Sequence, residues 1–155
     1  MKKISYYIVI ICSIFFIFGC QNKVQNIEGN LSDIIEKLYI GVPSDFPELE
    51  QINVAEDNKQ YYLGDIDFSY KEALASEPLM SSIAHSVVLI RLDDTSNINS
   101  IKEEIKEKVN PKKWICVEVE EENVMVESKG NLILLVMDNE YASLIKDNFL
   151  ALENK

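Results

Sequence analysis

Two short, uninterrupted apolar runs constrain the fold of this chain more than any other feature. They are VVLI at residues 87–90 and LILLVM at residues 132–137. Each is far shorter than the roughly 20 residues that a membrane-spanning helix needs. Neither alternates with polar residues, so both runs predict strands that are covered on both faces. We therefore expect the sheet of this protein to be built around these two segments.

Three segments in which apolar residues recur at helical spacing flank these strands. Ser32 is a candidate cap for the first helix, Asn139 is expected to cap the third, and Pro111 stops the second. Glu104 and Lys108 form an i,i+4 pair in the favourable order on the second helix. The apolar positions are Leu31, Ile34, Ile35, Leu38 and Tyr39 in the first, Ile98, Ile101, Ile105 and Val109 in the second, and Tyr141, Leu144, Ile145, Phe149 and Leu152 in the third.

The remaining segments predict shorter elements. Residues 60–63 are interpreted as a short strand and residues 70–76 as a short helix that ends before a proline. Apolar and polar residues alternate over 115–119, which indicates a strand, and residues 123–127 continue extended up to a turn at 129–130. The order of elements predicts an α+β, two-layer domain, with a mostly antiparallel sheet of three to five strands and helices packed on it.

The N-terminus carries the pattern of an export signal for lipoproteins. Lys2 and Lys3 precede an uncharged run over residues 4–18, and the run ends in Ile17-Phe18-Gly19-Cys20, which resembles a lipobox. We expect residues 1–19 to be a cleaved signal peptide and Cys20 to be the acylated first residue. Residues 20–30 would then be a polar tether and residues 31–155 a single domain. The alternative is a short N-terminal anchor that is never cleaved.

Cysteine count and charge restrict the function classes. Cys12 would leave with the signal and Cys20 would carry lipid, so Cys116 would remain alone and no disulfide could form within the mature chain. The formal net charge is −11, and Arg91 is the only arginine. A surface of this sign repels phosphate backbones, so a nucleic-acid partner is not expected.

Several blocks together resemble a known family. They are ASEP at 75–78, MSSIAHSVVLIR at 80–91, KWICV at 113–117 and the hairpin from 124–126 to 132–137. In this order they resemble a family of lipoproteins with a domain of unknown function, found in Clostridia-type bacteria. The resemblance covers roughly residues 60–138 and implies a Gram-positive, cell-surface lipoprotein. It implies no activity and no functional residues.

Cys116 and His85 are the only thiol and the only imidazole expected after processing. A Cys–His enzyme needs a thiolate, but Glu118 and Glu120 lie on the predicted strand face of Cys116 and would disfavour one. A packed cysteine is the simpler interpretation, and His85 is expected to be a hydrogen-bonded structural residue, with ligand contact as the alternative. Trp114 is interpreted as a plug at the edge of the core, or as a contact in a ligand groove.

Acidic side chains and two serines are further candidates for a chemical role. A calcium site or an acid/base pair would draw on acidic side chains that lack the ligand spacing and glycine turn of calcium loops. Ser81 and Ser82 precede a strand near His85, but no orienting acid or oxyanion hole is marked, so backbone capping is favoured. The acidic candidates are Asp65, Asp67, Glu118, Glu120, Glu121 and Glu122.

Three function hypotheses follow. The first is a non-enzymatic, lipid-anchored module on the extracytoplasmic face of the cell membrane that binds an envelope protein or peptide, without a cofactor or a metal. The second is a cell-envelope enzyme that uses Cys116 or a carboxylate pair. The third is a structural spacer. The acidic segment at 43–67 is either a binding loop or solvated coil.

Overall fold

The structure is a computed structural model and describes residues 25–153. The predicted signal peptide at 1–19 and the predicted lipid attachment at Cys20 lie outside the described residues. The helices are α1 (Leu31–Leu38), α2 (Lys59–Leu63), α3 (Ile98–Lys108) and α4 (Ala142–Ala151), with a 3-10 turn at Glu121–Asn123. The strands are β1 (Leu49–Asn53), β2 (Glu72–Pro78), β3 (His85–Arg91), β4 (Val124–Lys129) and β5 (Leu132–Asp138).

The five strands form one antiparallel sheet in the order β1-β2-β3-β5-β4. The two apolar runs lie in β3 and β5, which pair with each other in the middle of the sheet, with Val88 opposite Leu135. Every residue of both strands is buried. Each large apolar side chain removed from water here contributes about 1.5–3 kcal/mol. The prediction of strands covered on both faces is confirmed.

Helices cover both faces of the sheet. Val87 and Leu89 pack against α1 and α4, whereas Val88 and Ile90 pack against α2 and α3. The predicted α+β class with an antiparallel sheet is confirmed. Successive residues of a strand point to opposite sides, and residues 87–90 and 132–137 are all apolar. Helices must therefore cover both faces of the sheet. The sheet is therefore the middle layer of three, which adds one layer to the predicted two.

The three amphipathic helices occur where the periodicity predicts them. Glu104 and Lys108 form the expected pair on α3, with 3.2 Å between Oε1 and Nζ. The cap of α1 differs from the prediction, since Asn30 is the N-cap residue and its side chain accepts a hydrogen bond from the Ser32 N–H at 2.8 Å. The buried positions are Leu31, Ile34, Ile35 and Leu38 on α1, Ile101 and Ile105 on α3, and Ala142, Ile145 and Phe149 on α4.

Three short segments differ in structure from the prediction. Residues 60–63 lie in helix α2, and residues 72–76 belong to strand β2. The sequence of β2, EALASEP, is rich in good helix formers, but the segment pairs with β1 on one side and β3 on the other. Tertiary pairing outweighs local propensity here. Residues 115–119 are not a strand, because β4 takes the edge position beside β5 and leaves this segment as a loop.

Residues 25–30, which the sequence assigns to a flexible tether, lie against the domain. The buried Ile27 donates its N–H to Asn131 Oδ1 at 3.0 Å. Arg91 donates to the Gly29 carbonyl at 2.7 Å. Both contacts place this N-terminal segment at the end of the sheet that carries the β4–β5 hairpin, which we call the hairpin end. Within residues 25–153, no helix is long and apolar enough to cross a membrane.

Candidate functional site

Four connections meet at the opposite end of the sheet, which we call the tip. They are residues 39–48, 79–84, 111–123 and 139–141. Strand β2 ends at the tip, and strand β3 begins there. His85 and Trp114, the two candidate ligand contacts, lie in or beside these four connections.

A chain of buried polar groups runs along one face of the sheet at the tip. His85 and Asp138 are cross-strand partners, and His85 Nδ1 lies 2.8 Å from Asp138 Oδ2. The other ring nitrogen, Nε2, lies 2.8 Å from the Tyr39 hydroxyl, which is 3.1 Å from the hydroxyl of Ser76. The His85 ring is fully buried. Both of its nitrogens are therefore satisfied inside the protein.

Asp138 also organises the start of helix α4. Its second carboxylate oxygen accepts hydrogen bonds from the backbone N–H groups of Glu140, at 2.7 Å, and Tyr141. Burial by itself would raise the pKa of the Asp138 carboxyl. The hydrogen bonds from His85, Tyr141 and Glu140 outweigh burial, so that this pKa lies below its usual value. Asp138 is thus held as a carboxylate.

The order Asp138–His85–Tyr39 resembles the order of groups in a hydrolase triad, with a phenol hydroxyl in the third position. Burial raises the pKa of the Tyr39 hydroxyl well above its usual value, which keeps the phenol protonated. The ring of Phe46 covers His85 edge-on, with 4.9 Å between the centroids. The chain therefore ties α1, β2, β3 and β5 together. His85 is hydrogen-bonded as predicted and has no exposed surface with which to contact a ligand.

A second buried polar cluster lies on the other face of the sheet. Lys113 Nζ pairs with the Glu77 carboxylate and lies 3.4 Å from the Ser86 hydroxyl. The side chains of Lys113 and Glu77 are only 3% and 8% exposed. Three rings surround the ammonium group, with centroids at 4.4 Å (Tyr61), 4.9 Å (Tyr62) and 5.1 Å (Trp114). Burial lowers the pKa of Lys113, and Glu77 opposes part of this effect.

Lys113 and Trp114 anchor the loop that precedes β4. Trp114 is 7% exposed and belongs to the core between the sheet and α3, which agrees with the interpretation as a plug and not with the groove. Asn139 was predicted to cap α4. Its side chain instead accepts from the Glu120 N–H at 2.9 Å and donates to the Glu118 carbonyl at 3.0 Å. These contacts hold residues 113–120 against the end of the sheet.

Cys116 lies in this loop and is exposed, with a φ of 61°. The packed cysteine that was predicted is therefore wrong, since that interpretation required a strand at 115–119. A Cys116–His85 pair is not formed either, because both nitrogens of His85 bond to Asp138 and Tyr39.

The other chemical candidates are also dispersed. Asp67 pairs with Lys108 at 3.1 Å, and Glu118 pairs with Lys112 at 3.0 Å. Among residues 25–153, no group of three or more His, Cys, Asp or Glu side chains is placed to hold a metal ion. The Ser81 carbonyl accepts a hydrogen bond from the Ile115 N–H at 2.9 Å.

That last hydrogen bond joins two loops that expose large apolar side chains. Met80 is 60% exposed and Ile115 is 63% exposed. Leu79 and Val117 are exposed beside them. We call Leu79, Met80, Ile115 and Val117 the apolar patch. The sequence alternation at 115–119 was assigned to a strand, so the exposure of this segment was not predicted.

A hollow of about 550 Å³ adjoins the apolar patch. Phe46, Ile83 and Val117 contribute apolar surface to it, and the other lining residues include four acidic side chains and no basic one. The acidic residues are Asp45, Glu118, Asp138 and Glu140. Part of the acidic segment 43–67 thus lines a concave surface, which the sequence left undecided between a binding loop and coil.

Comparison with known proteins adds no further assignment. No protein-family model matches the chain, and neither the curated proteins nor the solved structures give a match. The resemblance to lipoproteins of Clostridia-type bacteria stays a prediction.

Proposed function

We propose that this protein is a lipid-anchored extracytoplasmic lipoprotein whose domain is a non-enzymatic module that binds an envelope protein or peptide through the tip. One observation carries the proposal. The apolar patch lies at the end of the sheet opposite the N-terminal segment. Contiguous exposed apolar surface on a small domain is typical of a protein interaction site.

The positions of the two ends support this arrangement. Residue 25 lies against the β4–β5 hairpin, where a Cβ added to Gly130 would meet the Gln25 backbone. Strands β3 and β5 have seven residues each and span the distance between the hairpin end and the tip. At about 3.3 Å per residue, the tip is roughly 20 Å from the point where the anchor segment joins the domain. A domain anchored through Cys20 would therefore present the tip away from the membrane.

The tip is also organised before any partner binds. The buried Lys113–Glu77 pair and the Asn139 hydrogen bonds fix one loop, and the Asp138–His85–Tyr39 chain fixes another. Binding to a preorganised surface costs less conformational entropy than binding to mobile loops. This favours a binding module over a spacer, which has no need of an exposed apolar surface.

The anchor is tested by the substitution Cys20→Ser. We expect the domain to leave the membrane fraction, or to remain there as an uncleaved precursor without lipid. Cys12→Ser is the matched control, since Cys12 lies in the part that would be removed, and this variant should behave as the wild type. A Cys20→Ser protein with unchanged mass in the membrane fraction would contradict the proposal.

The tip is tested by a photoreactive amino acid placed at Met80, and in a control protein at Leu150. Leu150 is also an exposed apolar residue, but Lys129 contacts its carbonyl at the hairpin end. We expect one saturable adduct from position 80, lost when Ile115→Asp is added, and no such adduct from position 150. Identical adducts from both positions, or none from position 80, would rule out the tip as the binding surface.

A further inference from the structure

We infer that the partner segment bound at the tip is basic as well as apolar, with a lysine or arginine side chain seated in the hollow beside the apolar patch. This inference rests on the proposed function and names the chemistry of its partner. It is carried by the position of the hollow, by the charge of its lining and by its continuity with exposed apolar surface.

The hollow and the apolar patch form one surface. Val117 belongs to both, and Ile83 of the hollow lies in the same connection, 79–84, as Leu79 and Met80 of the patch. The Leu79 N–H lies 3.4 Å from the Glu48 carbonyl, which brings the segment before β1 to the same place. A partner segment that covers the apolar patch therefore places its neighbouring side chains over the hollow.

The lining of the hollow selects for positive charge. Asp45 is exposed and carries no hydrogen bond from another described side chain. Glu140 accepts a hydrogen bond from the Tyr141 hydroxyl at 2.8 Å, and Glu118 has only a surface pair with Lys112. Exposed pairs of this kind are weak and exchange readily with another cation. A lysine or arginine from a partner would add a second counter-ion to these carboxylates.

Two aromatic rings favour the same ligand. Phe46 and Tyr141 line the hollow in an edge-to-face arrangement, with 5.5 Å between their centroids. Aromatic rings attract ammonium and guanidinium groups and pack against the methylene chains that carry them. The net charge of −11 would also speed the approach of a basic partner.

The same observations disfavour other occupants. An acidic peptide would meet four acidic side chains in the hollow and no basic one. A second copy of this chain would bring the same acidic surface against itself in a two-fold contact. We therefore assign the surface to a different, basic envelope protein.

The test is a selection of random peptides on the full-length protein, purified in detergent from whole cells that express it. The selected peptides are then measured against two charge-reversed proteins. One carries Asp45→Lys, Glu118→Lys and Glu140→Lys at the tip. The other carries Glu103→Lys, Asp147→Lys and Glu153→Lys, which changes the net charge equally but lies outside the lining of the hollow.

We expect selected peptides to combine Lys or Arg with apolar residues, and to bind the tip-reversed protein at least about tenfold more weakly. The matched control should bind within about twofold of the wild type. Peptides that are acidic, equal binding to both reversed proteins, or no enriched sequence at all would overturn the inference. The membrane fractionation of Cys20→Ser is independent of this selection, so the anchor and the partner chemistry can fail separately.

Discussion

The Asp138 carboxylate connects strand β3 to the turn that leads into helix α4. One oxygen orients His85, and the other accepts the first free N–H groups before helix α4. A carboxylate at the start of a helix also interacts favourably with the helix dipole. The side chain therefore fixes the turn before α4 and is also one half of a buried polar pair.

Replacing Asp138 should destabilise the fold strongly. We expect Asp138→Ala to lower the free energy of unfolding by about 3 kcal/mol, because His85 Nδ1 would be left buried without an acceptor. Urea denaturation of the full-length protein measures this change. Asp147→Ala is the control, since Asp147 is 70% exposed and makes only a 3.6 Å pair with Lys146. The control should change stability by less than about 0.5 kcal/mol, and equal effects would refute the assigned role.

The lowered pKa of Asp138 predicts a dependence of stability on pH. A carboxyl whose pKa is lower in the folded state stabilises the protein above its unfolded pKa of about 4, and this contribution is lost as the pH falls through the folded value. Asp138→Asn removes the titration and leaves the other carboxyls unchanged. The stability difference between wild type and Asp138→Asn should therefore shrink below about pH 4. A constant difference from neutral pH to about pH 3 would contradict the assignment.

Gly64 ends helix α2 with a φ of 80° and lies against helix α3. A Cβ at this position would overlap the Lys108 carbonyl, which is backbone and cannot move aside cheaply. Gly29 has a φ of 110° with open space around it. Both Gly→Ala changes introduce backbone strain, and only Gly64→Ala adds the overlap. We expect thermal unfolding to show a loss at least about 2 kcal/mol greater for Gly64→Ala than for Gly29→Ala. Equal losses would mean that α2 and α3 are not in close contact.

Among the elements of the fold, the loop at 111–120 is attached differently from a strand. A strand is held by backbone hydrogen bonds to its neighbours, whereas this loop is held to a large extent by ion pairs of its side chains. Lys113–Glu77 is the buried contact, and Lys112–Glu118 is an exposed pair in the same loop. Removing one partner of a buried ion pair leaves the other charge buried without compensation. Replacing both partners by apolar residues exchanges the ion pair for apolar contact and costs much less.

A double-mutant cycle at Lys113→Met and Glu77→Met tests this account. We expect each single change to cost about 3 kcal/mol and the double change to cost less than the two together, with a coupling of at least about 1.5 kcal/mol. The same cycle at Lys112 and Glu118 should give a coupling under about 0.5 kcal/mol. Similar coupling in the two cycles would show that burial of Lys113 does not fix the loop.

At the scale of the whole molecule, the proposed orientation puts Cys116 at the exposed, membrane-distal end. A membrane-impermeant maleimide should label it on intact cells without denaturant. The control protein carries Cys116→Ser with Ser86→Cys, which moves the thiol to a fully buried position, and should be labelled only after unfolding. Labelling of Cys116 that requires cell lysis would contradict the extracytoplasmic location. Labelling that requires denaturant would contradict the exposed tip.

Helices and strands that have a clear local pattern of apolar residues can be predicted from the sequence alone. Residues 87–90 and 132–137 are apolar without interruption, and the helices at Leu31–Leu38 and Ile98–Lys108 repeat apolar residues every three to four positions. Such patterns specify an element and its buried faces with no knowledge of the partner. They were sufficient for the α+β class and the central strands.

Two features depend on tertiary packing: the formation of a strand at β2, and the set of residues that meet at the tip. The helix-forming residues of β2 became a strand because two strands flank them. His85 and Asp138 are 53 residues apart, and Lys113 and Glu77 are 36 residues apart. Their pairing depends on strand order and register, which no local pattern carries. The exposed loops and the acidic hollow are products of the same long-range packing, so the surface that we assign to binding could not be found from the sequence.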